Sequence, residues 1–379
     1  MTQTVSIERL VEHRTEVNHR FFGAEAERIA RLCGAMAERF AVGGRLLAIG
    51  SSPQDRSDAH HVAVEFVHPV IVGKRALPAL ALGPGDLELF ATPADMVVAF
   101  GNHAESVATA RALGCPTIAF EPSGAEWEFE PPSDDPFVRQ ELAETLYHVL
   151  WELVHVFLEQ RGATEAGAGA ASSFLYPFLE RQRGNVDEVV EDVRRSVLMK
   201  ADEVGKLRAR TVTDASETLA GAADAVRGSL DAGGKLLAFG NGGSATDAMD
   251  VVADFRAAPQ GWPEREALDL TADAAILTAL ANDIGTEVLF SRQVIAYGRS
   301  RDVALALSTS GSSANIVEAL AESRRRDLVT IAVVGYDGGR IGEEGLADFV
   351  VVTPSQHIPR IQEAQATVYH LLRELVEAA

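Results

Sequence analysis

The chain repeats itself. GGRLLAIG, residues 43–50, returns as GGKLLAFG at 233–240, an offset of 190. DAHHVAVEF (58–66) matches DAMDVVADF (247–255) at an offset of 189, and QELAETLYHVLWELV (140–154) matches QEAQATVYHLLRELV (362–376) at 222. One such match could arise by chance, but three in the same order indicate duplication. The growing offset means that the first half lacks about 33 residues in its middle. Such a chain folds as two copies of one unit. The expected domains are 1–160 and 176–379, and the small-residue run RGATEAGAGAASS marks 161–175 as a flexible linker.

Each half opens with amphipathic helix, as in 185–230, and continues with a buried β-run, a turn and a helix. KLLAF, VALALS, LVTIAVVG and DFVVVT are short apolar runs without polar alternation. Parallel strands covered on both faces read this way. A long helix from Pro359 to Glu377 closes the second half. Its counterpart, Gln140 to Gln160, carries Trp151 and Leu153 at core spacing. Strands alternating with helices predict an α/β fold, with a three-layer α/β/α sandwich and a parallel sheet in each half. RRRD (324–327) reads as a helix end, and the acidic, Pro-rich EWEFEPPSDDP (126–136) as a solvated loop.

With 47% hydrophobic residues among 379, there is material for two cores. No run approaches the roughly 18 apolar residues of a membrane span. The N-terminal MTQTVSIERLVEHR has no apolar signal core, so a cytoplasmic location is expected. Cys33 and Cys115 read as buried thiols in a reducing compartment. A net charge of −21 repels phosphate backbones and anionic lipid, which argues against nucleic-acid and membrane partners. An anionic small ligand would have to be held by local donors.

Two loops offer such donors. GNGGS (240–244) follows KLLAF, and STSGSSAN (308–315) follows VALAL. In a parallel α/β fold, both sit at the C-terminal ends of strands, where ligands bind. Glycine lets backbone approach an anion, helix-start N–H groups point at it, and the hydroxyls add donors. Neither loop fits the lysine-bearing P-loop or the G-x-G-x-x-G spacing of dinucleotide sites. Either loop alone reads as a helix N-cap. Two hydroxyl-rich loops at equivalent strand ends favour a phosphate cradle.

GNGGSATDA, AND (281–283), STSGSSAN and RIQEAQATVYH (360–370) together resemble the sugar isomerase (SIS) family, and within it the phosphoheptose isomerase branch. The resemblance covers essentially the whole second half. For the first half it covers the fold and some site residues. It implies two SIS-type domains in a tandem pseudo-dimer. It also implies phosphate binding by Ser308, Thr309, Ser310 and Ser313, with Asn241, Gly242, Gly243, Ser244, Asn282 and Asp283 along the sugar. Gln362 and His370 match the family's positions on the last helix.

The chemistry implied is aldose–ketose interconversion of a phosphorylated sugar through a cis-enediol. The substrate would be D-sedoheptulose 7-phosphate and the product D-glycero-D-manno-heptose 7-phosphate, with Asp254 as base and His370 as acid. The resemblance fixes no cofactor with certainty. In members that bind metal it is zinc, which points to Asp250, Asp254, Gln362 and His370, or to His61, Glu65, Gln140 and His148 in the first half.

The family pattern D-A-x-H-x-x-x-E places His and Glu on one helical face. Here the second half substitutes Asp250 and Asp254, while the first half keeps His61 and Glu65 but loses both loop motifs, which read GSSPQD and GNHAES. One competent pocket, built around the second half, is expected, in a homo-oligomer of two tandem chains resembling a tetramer. Two alternatives remain open. One is a non-catalytic SIS protein that binds a sugar phosphate and regulates a partner. The other is a tandem SIS enzyme like the isomerase part of glucosamine-6-phosphate synthase, although both loops resemble the heptose branch more closely.

Overall fold

The computed structural model describes residues 7–70, 74–160, 186–258 and 260–378. The expected linker lies outside them. The chain divides into two compact units, residues 17–203 and residues up to 16 together with those from 204 onward. Both divisions fall inside long helices, Ile7–Ala41 and Val186–Asp214. Core membership shows why. Val11 packs with Val212 and Leu219, whereas Val17 and Ala201 pack with Phe21 and Trp151.

The 17–203 unit holds β1 (Leu46–Ile49), β2 (Ala79–Leu82), β3 (Met96–Ala99), β4 (Thr117–Ala119) and β5 (Trp127–Glu128), in the order β2-β1-β3-β4-β5. The other unit holds β6 (Leu236–Phe239), β7 (Ala267–Asp269), β8 (Val303–Ser308), β9 (Val329–Gly335) and β10 (Phe349–Thr353), in the order β7-β6-β8-β9-β10. The two orders are one permutation, and every pairing is parallel. The duplication read from the repeated sequence is therefore a duplication of topology.

Strand side chains divide by the two-residue period of a pleated strand. Leu236 and Ala238 join one core with Leu219, Val251 and Leu371, which come from helices on one face. Leu237 and Phe239 join another with Ile316 and Leu320 on the opposite face. Leu46 and Ala48 divide from Leu47 and Ile49 in the same manner. Each unit is a three-layer α/β/α sandwich. Cys33 and Cys115 are buried free thiols, and burial pushes the Cys115 thiol up. Among the described residues, no helix is long and apolar enough to cross a membrane.

One expectation needs correction. Part of the acidic 126–136 segment is β5, an edge strand against β4. Its Glu128 carboxylate accepts the N–H groups of Ser123 (2.8 Å), Gly124 (2.6 Å) and Ala125 (3.1 Å). These three bonds hold that carboxyl below the usual range. A two-residue strand gives too short an alternation to be read from sequence.

Each sheet also carries a buried strut. Asp95, just before β3, accepts the Arg45 N–H (2.8 Å) and guanidinium (3.0 and 2.8 Å) and the Thr92 N–H (2.9 Å). Asp302, just before β8, accepts the Lys235 N–H (3.0 Å), the Lys235 ammonium (2.6 Å) and the Arg299 N–H (2.9 Å). In both sheets the residue leading into the first strand is thereby fixed to the start of the third.

Candidate active site

The strand order fixes where a ligand fits. From β6 the chain crosses to β7 on one side, and from β8 to β9 on the other. The crevice between the carboxyl ends of β6 and β8 is thus the topological switch point, where open α/β sheets bind ligands. GNGGS leaves β6 there and STSGSSAN leaves β8. Their side chains meet: Asn241 Nδ2 donates to Asn315 Oδ1 (3.0 Å), and Asn315 Nδ2 donates to Asn241 Oδ1 (2.8 Å).

Gly242 precedes the Gly243–Arg256 helix with φ 58° and ψ −126°, and no side chain caps that helix. L-residues avoid such a backbone, and a Cβ on Gly242 would face open space. The glycine therefore serves the turn, leaving uncapped N–H groups and a helix dipole toward the crevice. Ser244 is buried in the first helical turn, and its carbonyl abuts Gly240 so closely that any Cβ there would overlap it.

The serine loop is braced from below. The Gly311 N–H donates to Ser308 Oγ (3.1 Å) and the Ser312 N–H to Ser310 Oγ (3.3 Å). Ser310 and Ser313 hydroxyls lie 3.4 Å apart, and Ser313 precedes the uncapped Ala314–Arg325 helix. Thr309 is half-buried beside them. The following loop, GYDGG (335–339), supports this one: Cβ atoms at Gly311, Gly335 and Gly339 would overlap the Gly338, Thr309 and Ser310 carbonyls respectively. Tyr336 holds φ 53°, a strained value for a bulky residue. GYDGG escaped the sequence reading because its role is to shape another loop. Gln365 Nε2, reaching the Ser308 carbonyl at 3.4 Å, was likewise missed.

The titratable residues gather further along. Asp250, Asp254 and His370 are buried with their ligand atoms within 4.8 Å of one another. His370 Nε2 lies 3.7 Å from Asp250 Oδ2 and 3.6 Å from Asp254 Oδ2. Two partners went unpredicted. The Tyr369 hydroxyl donates to Asp250 Oδ2 (3.0 Å). Arg373, buried on Phe255 and Trp262, donates to the Asp254 carbonyl (3.1 Å). Burial pushes the Arg373 guanidinium down from its ordinary value, while Glu377 and Asp254 oppose that. A spacing of three from His370 was the one available signal, and it does not distinguish a core arginine.

Gln362 is buried on the same helix, two turns before His370, about 12 Å along its axis. Asn282 and Asp283 close the helix that follows β7. They are exposed at the end of the Ala274–Asp283 helix and bond to each other (2.7 Å), and among the described residues no hydrogen bond joins them to either loop.

In the 17–203 unit the equivalent positions form another trio, His61, Glu65 and His148, again within 4.8 Å. The His61 and His148 Nε2 atoms are 3.4 Å apart. Gln140 donates to Asp58 (3.3 Å), which also accepts from the Tyr147 hydroxyl (3.4 Å). The loop after β1 differs in kind. Ser52 and Asp55 form a reciprocal capping box with Pro53 at the first helical position, so the Asp55 carboxylate occupies the helix start where an anion would bind. Either trio, mixing imidazole nitrogen with carboxylate oxygen, suits zinc, which takes such donors at about 2.0–2.2 Å.

A family model described as SIS domain matches residues 201–335. Phosphoheptose isomerase of Geobacter sulfurreducens is 41% identical over 186 residues, covering 46% of this chain and 96% of that protein. That of Thermodesulfovibrio yellowstonii is 42% identical over 156 residues, 41% of this chain and 77% of that protein. This chain belongs to the SIS domain family. Among solved structures, the C-terminal domain of glucosamine-fructose-6-phosphate aminotransferase from Francisella tularensis has a TM-score of 0.61 at 9% identity, covering 99% of this chain and 96% of that one. Tagatose-6-phosphate ketose/aldose isomerase from Escherichia coli scores 0.56 at 12% identity, covering 100% and 94%. Both share the two-unit α/β fold.

Proposed function

We propose that this chain is a phosphosugar isomerase that converts D-sedoheptulose 7-phosphate to D-glycero-D-manno-heptose 7-phosphate. The reading rests on the reciprocal Asn241–Asn315 pair, which brings two donor-rich loops to one crevice at the head of the helix that carries Asp250 and Asp254. The phosphate sits among Ser308, Thr309, Ser310 and Ser313, facing the N–H groups of Gly242 and Gly243. Ser244, Asn241, Asn282, Asp283 and Gln362 are assigned to the sugar. Asp254 is eleven residues beyond Gly243, about 16 Å along the helix. A long, extended sugar spans such a separation better than a short one.

The Asp254 carboxylate takes the proton alpha to the carbonyl. The released C–H pair forms the enediol double bond, and the carbonyl π pair takes a proton from His370. Reversal at the neighbouring carbon gives the aldose. Arg373 holds the main chain at Asp254 through the bond to its carbonyl (3.1 Å). Zinc held by Asp250, Asp254 and His370, with Gln362, would supply Lewis-acid polarisation of the carbonyl oxygen.

The competent pocket belongs to the domain assigned to 176–379, and the 1–160 domain is a degenerate partner. The protein is cytoplasmic and assembles as a dimer of tandem chains. A second reading, a sugar-phosphate-binding regulator without turnover, draws on the shortening of the family's Glu to Asp254. Incubation with sedoheptulose 7-phosphate, with and without chelator, separates the two. Isomerisation yields the aldose. No aldose in either case, with the ketose still raising the melting temperature, leaves the regulator.

A further inference from the structure

The opposite end of the second sheet holds a cavity of about 380 Å³, within the range of small-ligand sites, roughly 300–1,000 Å³. It opens at the amino ends of β6, β7 and β8. From Lys235 to the GNGGS loop is the length of β6, about 16 Å at 3.3 Å per residue, so this cavity is separate from the crevice described above.

Six lining residues carry the argument: Lys235, Arg256, Glu266, Tyr297, Arg299 and Asp302. Asp302 is buried and fully engaged. Its oxygens accept the Lys235 N–H, the Lys235 ammonium and the Arg299 N–H, so the Lys235–Asp302 pair forms a neutral floor. The two arginines are differently placed. Arg256 Nε donates to the Ala267 carbonyl (2.7 Å), which fixes the plane of its guanidinium; its charge acts on the Asp269 carboxylate, and among the described residues no hydrogen bond engages its Nη groups. The Arg299 guanidinium has no hydrogen-bond or ion-pair partner among the described residues. Arg256 offsets the C-terminal dipole of its own helix. Arg299 follows Gly298, the C-cap of the Ser291–Tyr297 helix.

The lining sets three cations, Lys235, Arg256 and Arg299, against two carboxylates, Glu266 and Asp302, a small positive excess in a chain of net charge −21, and planar forks of donors match phosphate oxygens. The remaining lining narrows the class. Tyr297 is 38% exposed and offers a ring face for stacking a planar base. Glu266, exposed and without a hydrogen bond to its carboxylate among the described residues, would repel a bare anion. A carboxylate beside an anion site is suited instead to a ribose diol, whose hydroxyls donate to it. The cavity lies at the small end of the range, which fits one nucleotide rather than two.

We propose that this cavity binds a nucleoside monophosphate, with the phosphate on Arg256 and Arg299, the ribose on Glu266 and the base on Tyr297. Isothermal titration with AMP and GMP tests it. Binding to the Ser310→Ala protein must match wild type, which separates this site from the sugar-phosphate crevice. Arg299→Glu, an exposed substitution that leaves folding intact by circular dichroism, reduces affinity more than about tenfold. Tyr297→Ala reduces AMP affinity at least about fivefold and leaves inorganic phosphate binding unchanged. No binding of either nucleotide at millimolar concentration overturns the proposal. So does binding insensitive to Arg299→Glu, or inorganic phosphate binding as tightly as AMP.

Discussion

Asp254 is where sequence and chemistry diverge most. Its family counterpart is a glutamate, and one methylene less withdraws the carboxylate by roughly 1 Å, a displacement that can cost about 100-fold in rate when nothing compensates. The surroundings do compensate in charge. Arg373 lies alongside, and His370 stands 3.6 Å away with no exposed surface. Hydrogen bonds to the Asp254 and Pro263 carbonyls (both 3.1 Å) fix Arg373 in place. If Asp254 is the base, Asp254→Asn keeps the volume and the Arg373 bond to the main-chain carbonyl but removes the proton acceptor. kcat should then fall by about 100-fold or more, with KM and melting temperature nearly unchanged. Steady-state kinetics beside a thermal melt check this, and an equal rise in KM would move Asp254 into binding. The pairing of positions 250, 254 and 370 was legible from their match to the first half. Tyr369 and Arg373 were not, because a side chain turned inward on an amphipathic helix looks the same whether it fills a core or tunes a carboxylate.

Loops and struts do their work at the scale of the element. The serine loop owes its shape to GYDGG, whose Gly339 has φ 51° and leaves no room for a Cβ against the Ser310 carbonyl and Ser312 hydroxyl. Gly339→Ala should therefore push the serine loop out of register, raising KM for the sugar phosphate by about tenfold or more while kcat falls less. A strained left-handed alanine costs roughly 1–3 kcal/mol, so the melting temperature drops as well.

The Asp95 strut makes a different claim, about acid. Burial pushes its carboxyl up, but the bonds from Arg45 and Thr92 outweigh that and hold it at about 2. A carboxyl depressed on folding contributes stability that is present above its unfolded value near 3.9 and is lost as pH falls through the folded value. Asp95→Asn should therefore cost about 2 kcal/mol at neutral pH, and the gap to wild type should close between pH 4 and pH 2. Urea denaturation at several pH values measures it; a constant gap would mean a packing role. Hydrophobic runs announced four strands of the second sheet, but neither the three-residue β7 nor this strut. Its two ends, about 50 residues apart in one half and 67 in the other, meet only once β1 lies beside β3 and β6 beside β8.

For the whole molecule, duplication without symmetry of chemistry is the central property. The two sheets share one strand order, and each unit assembles a buried trio of ligand-type side chains at matching positions. Their phosphate ends have parted. In one unit the helix start is uncapped, behind glycine with a backbone only glycine tolerates. In the other, Asp55 has moved its own carboxylate onto the helix start and the capping box is closed. Displacing it would require breaking two hydrogen bonds and placing a dianion beside a carboxylate, which at surface screening costs several kcal/mol at 4 Å. The repeat was visible in the sequence because strand and helix periodicities survive drift, and so was the loss of the serine run. The capping box was spelled out as Ser-x-x-Asp but concealed by the site it had replaced. Calorimetric titration with the sugar phosphate should then give one binding event per chain, abolished by Ser310→Ala and indifferent to Asp55→Ala. Two equal events per chain would mean that the 17–203 unit binds through some other face. Survival of binding in Ser310→Ala would remove the serine loop from the site altogether.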